Sequence, residues 1–336
     1  MPLGNIGRRG YVRPVRIGVN IDGGRDYAEL LAKIDHAGAA GYDSAWLPQS
    51  PGGGPRKRSS RDRRHRLFGY DSLTALAVAG TRVSGIELGT CVLPTYSRHP
   101  MVMAEQAITC QAGYPDGTVT LGIGVSHRHV VEDQWGYSYD RTALRMSEYV
   151  TVLNQLFDTG EVSFEGSTVA ARGSLSIDLG RRIPILVAAL GPRMLEVAGG
   201  LSDGVITWMT GERTLAEHTV PRLVAAAERA GRPRPRVVAS LPVCVSENSD
   251  DARELAQRMF LIYRSLPNYK AMLDREQADH GGAIALVGGE DDIAGAVKRL
   301  ADVGVTDLNA LVIGSEAERA RAHVLLPQLI QHTEET

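Results

Sequence analysis

Eight times along this 336-residue chain a short apolar run gives way to a longer stretch with helical spacing. The runs are Val15–Ile21, Asp43–Leu47, Ile86–Leu93, Val119–Gly124, Ile183–Ala189, Gly204–Trp208, Val237–Val245 and Thr306–Ile313. Strands apolar on both faces, each followed by a helix, belong to a parallel sheet covered by helices. The clearest helix carries Met146, Tyr149, Val150, Leu153, Leu156 and Phe157 on one face, at the spacing of a 3.6-residue period. Pro100 suits the first position of another helix, where its fixed φ helps and its missing N–H is not needed. Further helices are expected over Ser72–Ala79, Pro192–Gly199, Leu215–Ala230, Asp250 to about Ser265, and Glu316–Ile330, with a hairpin excursion over Glu161–Ala171.

A repeat of this kind can close into a (β/α)8 barrel or open into a doubly wound sheet. A barrel needs roughly 250 residues plus insertions, which the chain has. The open sheet commonly carries GxGxxG after its first strand, where this chain reads NIDGGRDYAEL. No stretch rich in Pro, Gly or Ser divides the chain. The expectation is therefore an N-terminal extension over 1–14 and one α/β barrel over 15–336, with insertions after strands two, four and seven.

Composition narrows the function classes. A formal net charge of −2 excludes a generally basic nucleic-acid binder and an acidic disordered chain. The three cysteines, Cys91, Cys110 and Cys244, form no CxxC pair, so the expectation is free thiols in a cytoplasmic protein. The N-terminus lacks an apolar signal core, and no run reaches the ~20 apolar residues that span a bilayer.

Barrel enzymes work at the loops after the C-terminal ends of their strands. That rule selects the loops beginning at Gln49, Cys91, Gly124, Leu190 and Met209. After strand four, Gly122 and Gly124 would allow a flat ligand close to the backbone, and His127 and His129 follow. Histidine titrates near neutrality and suits proton transfer; it can equally be an exposed loop residue. His-x-His also suits metal, but no third ligand accompanies it at a recognisable spacing, so no metal site is assigned. After strand five, Gly191 and Pro192 open a helix whose free N–H groups and positive dipole end make a phosphate seat. Arg193 would add charge there, or point to solvent. Cys91 at the mouth is a nucleophile only if a base lies beside it, and Trp46 and Trp208 are either walls for a planar ligand or ordinary core.

The ordered pieces GYDSAWLPQ, YDSLTALAVAGTRVSGIELGTCVLPTYSRHP, YPDGTVTLGIGVSH, WGYSYDRTALRMSEYVTVLNQLF, VAALGPRMLEVAGGLSDGVITWMTG and RPRVVASLPVCV resemble the luciferase-like monooxygenase superfamily. They most resemble its branch of oxidoreductases that use the deazaflavin coenzyme F420. The resemblance runs from about Arg16 to Ile330. It implies a (β/α)8 barrel with coenzyme across the C-terminal mouth, and a non-proline cis peptide at Cys91–Val92 backing the deazaflavin ring. It implies coenzyme phosphate against Ala189, Leu190, Gly191, Pro192 and Arg193, and coenzyme contacts from Gln49, Gly124, Ser126, Trp208 and Met209. Many deazaflavin relatives carry an acidic residue or histidine where this chain has Gln49. His127 aligns with an acidic proton donor of some sugar-phosphate dehydrogenases.

Read this way, the protein transfers a hydride between deazaflavin C5 and a small organic or peptide-like, anionic substrate, with His127 moving the proton. Alternatives are an FMN-dependent monooxygenase and a barrel that binds coenzyme without catalysis. A Schiff-base aldolase is disfavoured because Lys33, Lys57, Lys270 and Lys298 do not sit at strand ends. A homodimer is a fair expectation for such a barrel. The segment Arg56–Arg66 holds seven Lys/Arg against one Asp on the active-site side of strand two. It is either a solvated charge run or a means of capturing an anionic coenzyme tail or substrate.

Overall fold

A computed structural model describes residues 15–23, 26–49 and 70–331. The N-terminal extension and the basic segment Arg56–Arg66 lie outside the described residues. Eight parallel strands form the wall: β1 (Arg16–Asn20), β2 (Ser44–Leu47), β3 (Glu87–Thr90), β4 (Thr118–Gly124), β5 (Ile185–Ala188), β6 (Gly204–Trp208), β7 (Arg236–Val245) and β8 (Asp307–Val312). Each pairs with the next in chain order, and β8 returns to β1 with Ile17 opposite Leu308, so the sheet closes. The barrel expected from the alternation is the barrel found.

Around it lie α1 (Tyr27–Ala40), α2 (Ser72–Gly80), α3 (Pro100–Ala112), α4 (Thr142–Thr159), α5 (Pro192–Leu201), α6 (Val220–Arg229), α7 (Ser249–Met259), α8 (Pro267–Glu276), α9 (Glu290–Asp302) and α10 (Glu316–Gln331). Local chemistry fixes their ends. Asp26 caps α1 by accepting from the Glu29 N–H at 2.9 Å, and Gly41 ends it at φ 85°, a conformation that favours glycine. Asp71 caps α2 through the Thr74 N–H at 2.9 Å. Pro100 opens α3, as the sequence predicts.

Three boundaries differ from the sequence reading. The third strand stops at Thr90, and a two-residue strand, Leu93–Pro94, resumes after a cis peptide between Cys91 and Val92. The helix expected to reach Ser265 ends at Met259 and passes into a 3₁₀ turn, Leu261–Ser265, and then α8. Between β7 and β8 the chain also forms a short strand, Leu286–Gly288, and α9, neither of which periodicity had separated.

The lumen is filled from both ends. Trp46 of β2 meets Leu186, Ile206 and Val238 of β5, β6 and β7, strands that can touch it only across the barrel interior. Its ring fits because its neighbours are glycines: a Cβ on Gly18 would lie 2.7 Å from the indole nitrogen, and one on Gly89 would overlap the ring. The indole N–H donates to Ser44 Oγ at 2.8 Å, which satisfies the one polar atom of the plug. Trp46 is therefore core and walls no ligand.

Below it, at the N-terminal ends of the strands, the filling is ionic. Arg236 bonds Glu87 at 2.9 Å and Asp307 at 2.6 Å; Arg16 bonds the same carboxylates at 2.5 and 3.1 Å. Thr120 Oγ1 adds a 2.5 Å donation to Glu87. Burial alone would raise the Glu87 pKa, but the Arg236 and Arg16 guanidiniums hold it below the usual carboxylate range.

Candidate active site

The opposite, C-terminal end of the barrel gathers the loops that the sequence singled out. Gln49, which closes the second strand's stretch, accepts the Ser72 N–H at 3.1 Å and so ties that loop to the start of α2. Asp71, the α2 cap, also pairs with Arg98 of the loop before α3.

At the end of β3 the Cys91 thiol accepts the Asn20 amide N–H at 3.2 Å, and burial pushes its pKa up to about 12. It stays a protonated thiol at neutral pH, which removes it as a nucleophile. Val92 packs toward β4, where a Cβ on Gly124 would stand 2.8 Å from Val92 Cγ2, and one on Gly122 would overlap the Thr90 carbonyl. These two glycines make room for the β3 bulge; the close approach they permit is made by protein and not by a ligand. Thr90 completes the joint, donating to the Gly122 carbonyl at 2.8 Å and accepting its N–H at 2.9 Å.

The β4 loop turns at Ser126, held at φ 60°, whose carbonyl accepts the Tyr139 hydroxyl at 2.8 Å. His127 follows, half-buried. Its carbonyl accepts the N–H groups of Val130 and Val131 at 2.9 and 3.0 Å, and a π-helical turn, Val130–Gln134, begins there. The His127 ring stacks on His129 with centroids 5.8 Å apart and planes 8° apart, and its other neighbour is the Tyr269 ring at 6.2 Å. Burial, and then the second imidazole, lower the His127 pKa below its ordinary 6.5, so the ring is neutral at pH 7. Among the described residues no group of three or more His, Cys, Asp or Glu side chains is placed to hold a metal ion.

After β5 the chain runs through buried Ala189 and half-buried Leu190 to Gly191, the N-cap of α5. Gly191 offers no side-chain cap, Pro192 is the first residue of the helix, and a Cβ at Gly191 would meet nothing within 4 Å. The first turn of α5 thus presents backbone donors to open space, with Arg193 exposed beside them.

Beyond β6, Trp208 is half-buried at the mouth, 5.7 Å from the Phe260 ring and 6.0 Å from Tyr263. Met209, at φ 52° and 1% exposed, sends its side chain away into a cluster with Ala252, Ala256, Phe260, Leu273 and Ile284. It supports the roof from below and does not line the mouth.

The sequence predicts Leu266–Gly282 as part of a pocket roof without marking any chemistry there; the structure forms that roof from the 3₁₀ turn and α8. Tyr263 and Tyr269 pack edge to face at 4.6 Å and connect Trp208 to His127. Glu276 latches the far end: its carboxylate accepts the Arg213 N–H at 3.1 Å, the Thr214 N–H at 2.8 Å and the Thr214 hydroxyl at 2.7 Å. Gly211 leaves space for it, since a Cβ there would overlap the Glu276 carboxyl carbon. We expect Glu276→Ala to lower stability by about 1–2 kcal/mol, the worth of a lost cap and its charge-assisted bonds. Limited proteolysis should then cut faster within 261–276. Gly211→Ala should behave alike, and the double variant should cost less than the sum of the two; full additivity would show that the contacts are independent.

A family model described as luciferase-like monooxygenase matches residues 8–307. The chain belongs to the luciferase-like monooxygenase family. Among curated relatives of this luciferase-like chain is the F420-dependent glucose-6-phosphate dehydrogenase of Mycolicibacterium fortuitum, 31% identical over 260 residues and 73% of each chain. Among solved structures, the coenzyme F420-dependent tetrahydromethanopterin reductase of Methanopyrus kandleri superposes with a TM-score of 0.72 at 20% identity, covering 95% of this chain and 99% of that one. The oxygenating constituent of 3,6-diketocamphane monooxygenase from Pseudomonas putida, in complex with FMN, superposes with a TM-score of 0.71 at 15% identity, covering 94% and 96%. The luciferase-like barrel is thus shared by deazaflavin and flavin enzymes. No helix among the described residues is long and apolar enough to cross a membrane.

Proposed function

We propose that this enzyme is a coenzyme F420-dependent oxidoreductase acting on a small organic substrate at the C-terminal mouth of the barrel. The observation that carries the reading is a neutral, half-buried His127 at the same mouth as an uncapped α5 N-terminus facing open space. The choice of deazaflavin over flavin rests on the curated relative at 31% identity, whose printed name is that of an F420-dependent dehydrogenase. The mouth residues fit such a group. Cys91, Val92 and Trp208 offer apolar surface to a planar ring, with Gly124 at the end of β4 and Gln49 and Ser126 on the adjoining turns. The N–H groups following Gly191 and the Arg193 guanidinium offer donors and charge to a phosphate.

When bound, the deazaflavin supplies a carbon that gives or takes a hydride. The protein's own part is placement, exclusion of water and movement of one proton. At pH 7 the His127 imidazole is a base, ready to take the proton of a carbinol as its hydrogen leaves; it delivers a proton in the reverse direction only after protonation below its lowered pKa. The exposed His129 stacked against it offers a path for that proton to solvent. Tyr263 and Tyr269 close the site from above and keep its dielectric low.

Equilibrium titration of the purified protein with F420 and with FMN tests the reading. Tight binding of F420 with reversible reduction by a small alcohol is expected. Tight binding of FMN with oxygen consumption, and none of F420, would replace it by the monooxygenase reading.

A further inference from the structure

The loop that ends in the α5 N-terminus is held by a histidine that neither the sequence argument nor the proposed chemistry uses. The Leu190 carbonyl accepts a hydrogen bond from His218 Nε2 at 3.0 Å. His218 is 3% exposed and lies on a π-helical turn, Leu215–Thr219, directly before α6. Pro221 follows that turn and has no N–H to give back to it, which accounts for the widened backbone there.

The ring's other nitrogen, Nδ1, accepts from Arg222 Nε at 3.1 Å. A guanidinium has only donors, so Nδ1 must be bare and Nε2 must carry the proton. The tautomer that can reach Leu190 is therefore imposed by Arg222. The other charged group facing the ring is Arg275 of α8; both cations, after burial itself, oppose protonation of the imidazole. Arg193, Arg222 and Arg275 have no carboxylate partner among the described residues. The neighbourhood of the α5 start is thus positive as well as rich in donors.

We infer that His218 is a positioning residue for the anionic end of the coenzyme, fixing through Leu190 where the first turn of α5 faces. The inference rests on the proposed reading of that turn as the phosphate seat. One bond removed at a buried site is worth about a tenfold change in affinity. The role concerns the anion alone, because the half-buried His127 and the ring-facing surfaces of Val92 and Trp208 belong to other loops.

The test compares two ligands in one protein: F420, and the same deazaflavin lacking its phosphate and acidic tail. His218→Phe keeps a ring without a donor, and His218→Gln restores an amide N–H without titration. His218→Phe is expected to weaken F420 about tenfold while leaving the phosphate-free deazaflavin within about twofold, with kcat at saturating F420 unchanged. His218→Gln should recover most of the F420 affinity. Equal weakening of both ligands would mark His218 as merely structural, and unchanged F420 binding in His218→Phe would end the inference. Wild-type protein that binds neither ligand would instead overturn the proposed function. Melting curves of the variants, expected to match wild type within a few degrees, separate these outcomes from misfolding.

Discussion

Replacing His127 by alanine is expected to lower turnover by about 10²- to 10⁴-fold at saturating coenzyme, the usual contribution of a positioned acid–base group. Coenzyme affinity should barely move, because the α5 turn and the β3 bulge are built by other loops. The pH profile carries the same information in a second form. The His127 pKa is lowered from 6.5, so in the oxidative direction the rate should rise with pH and level off above that lowered value. In the reductive direction, where the imidazole must first be protonated, the rate should fall as pH rises through the same value. His129→Ala removes the neighbouring imidazole that opposes protonation, and should move both limbs upward in pH. A His127→Ala enzyme with full turnover would take the proton role away from this residue and leave the barrel untouched.

At the other end of the molecule, Glu87→Ala should cost about 3–5 kcal/mol of folding stability, the penalty for leaving buried charges without their partner. Arg16 and Arg236 would then keep Asp307 as their one shared ion-pair partner among the described residues, and Thr120 would lose its acceptor. A urea melt read by circular dichroism would show a lower midpoint with little change in slope. Activity per folded molecule should be unaltered, since the network lies at the N-terminal face. The pH dependence has a definite sign. Glu87 titrates lower in the folded chain than its ordinary 4.5, so its stabilisation is complete above that value and is lost as pH falls through the folded pKa. Replacing the whole layer by apolar residues of similar volume should cost much less than Glu87→Ala, because burying the charges already offsets most of their attraction. A loss below about 1 kcal/mol for Glu87→Ala would show that water reaches the network.

The barrel was legible because its strands are apolar on both faces and its helices keep a regular period, both properties of neighbouring residues. What escaped depends on contacts between residues far apart in the chain. Trp46 looks the same in sequence whether it walls a ligand or fills the lumen; Gly18 and Gly89 decide the matter by the side chains they lack. Met209 follows a strand end, as a mouth residue should, yet a left-handed turn sends it into the roof. Glu276 and Gly211 form one latch from 65 residues apart, and nothing in either local sequence announces it. Cys91 is placed at the mouth as expected, but its thiol is silenced by burial, which a residue name does not convey. The position of His127 on its loop was readable; its neutrality, set by burial and then by the stacked His129, was not.

Among the described residues, one indole and a layer of ion pairs stop the lumen from below, so ligands reach it from the C-terminal mouth. Two ligands that meet in such a vestibule must use it in turn. The one that lies deeper enters first and departs last, so the sequence of arrivals is imposed by architecture before any difference in affinity is considered. On the proposed reading, steady-state kinetics of this enzyme should therefore follow a compulsory order, with the fully buried Trp46 that stops the lumen as its cause.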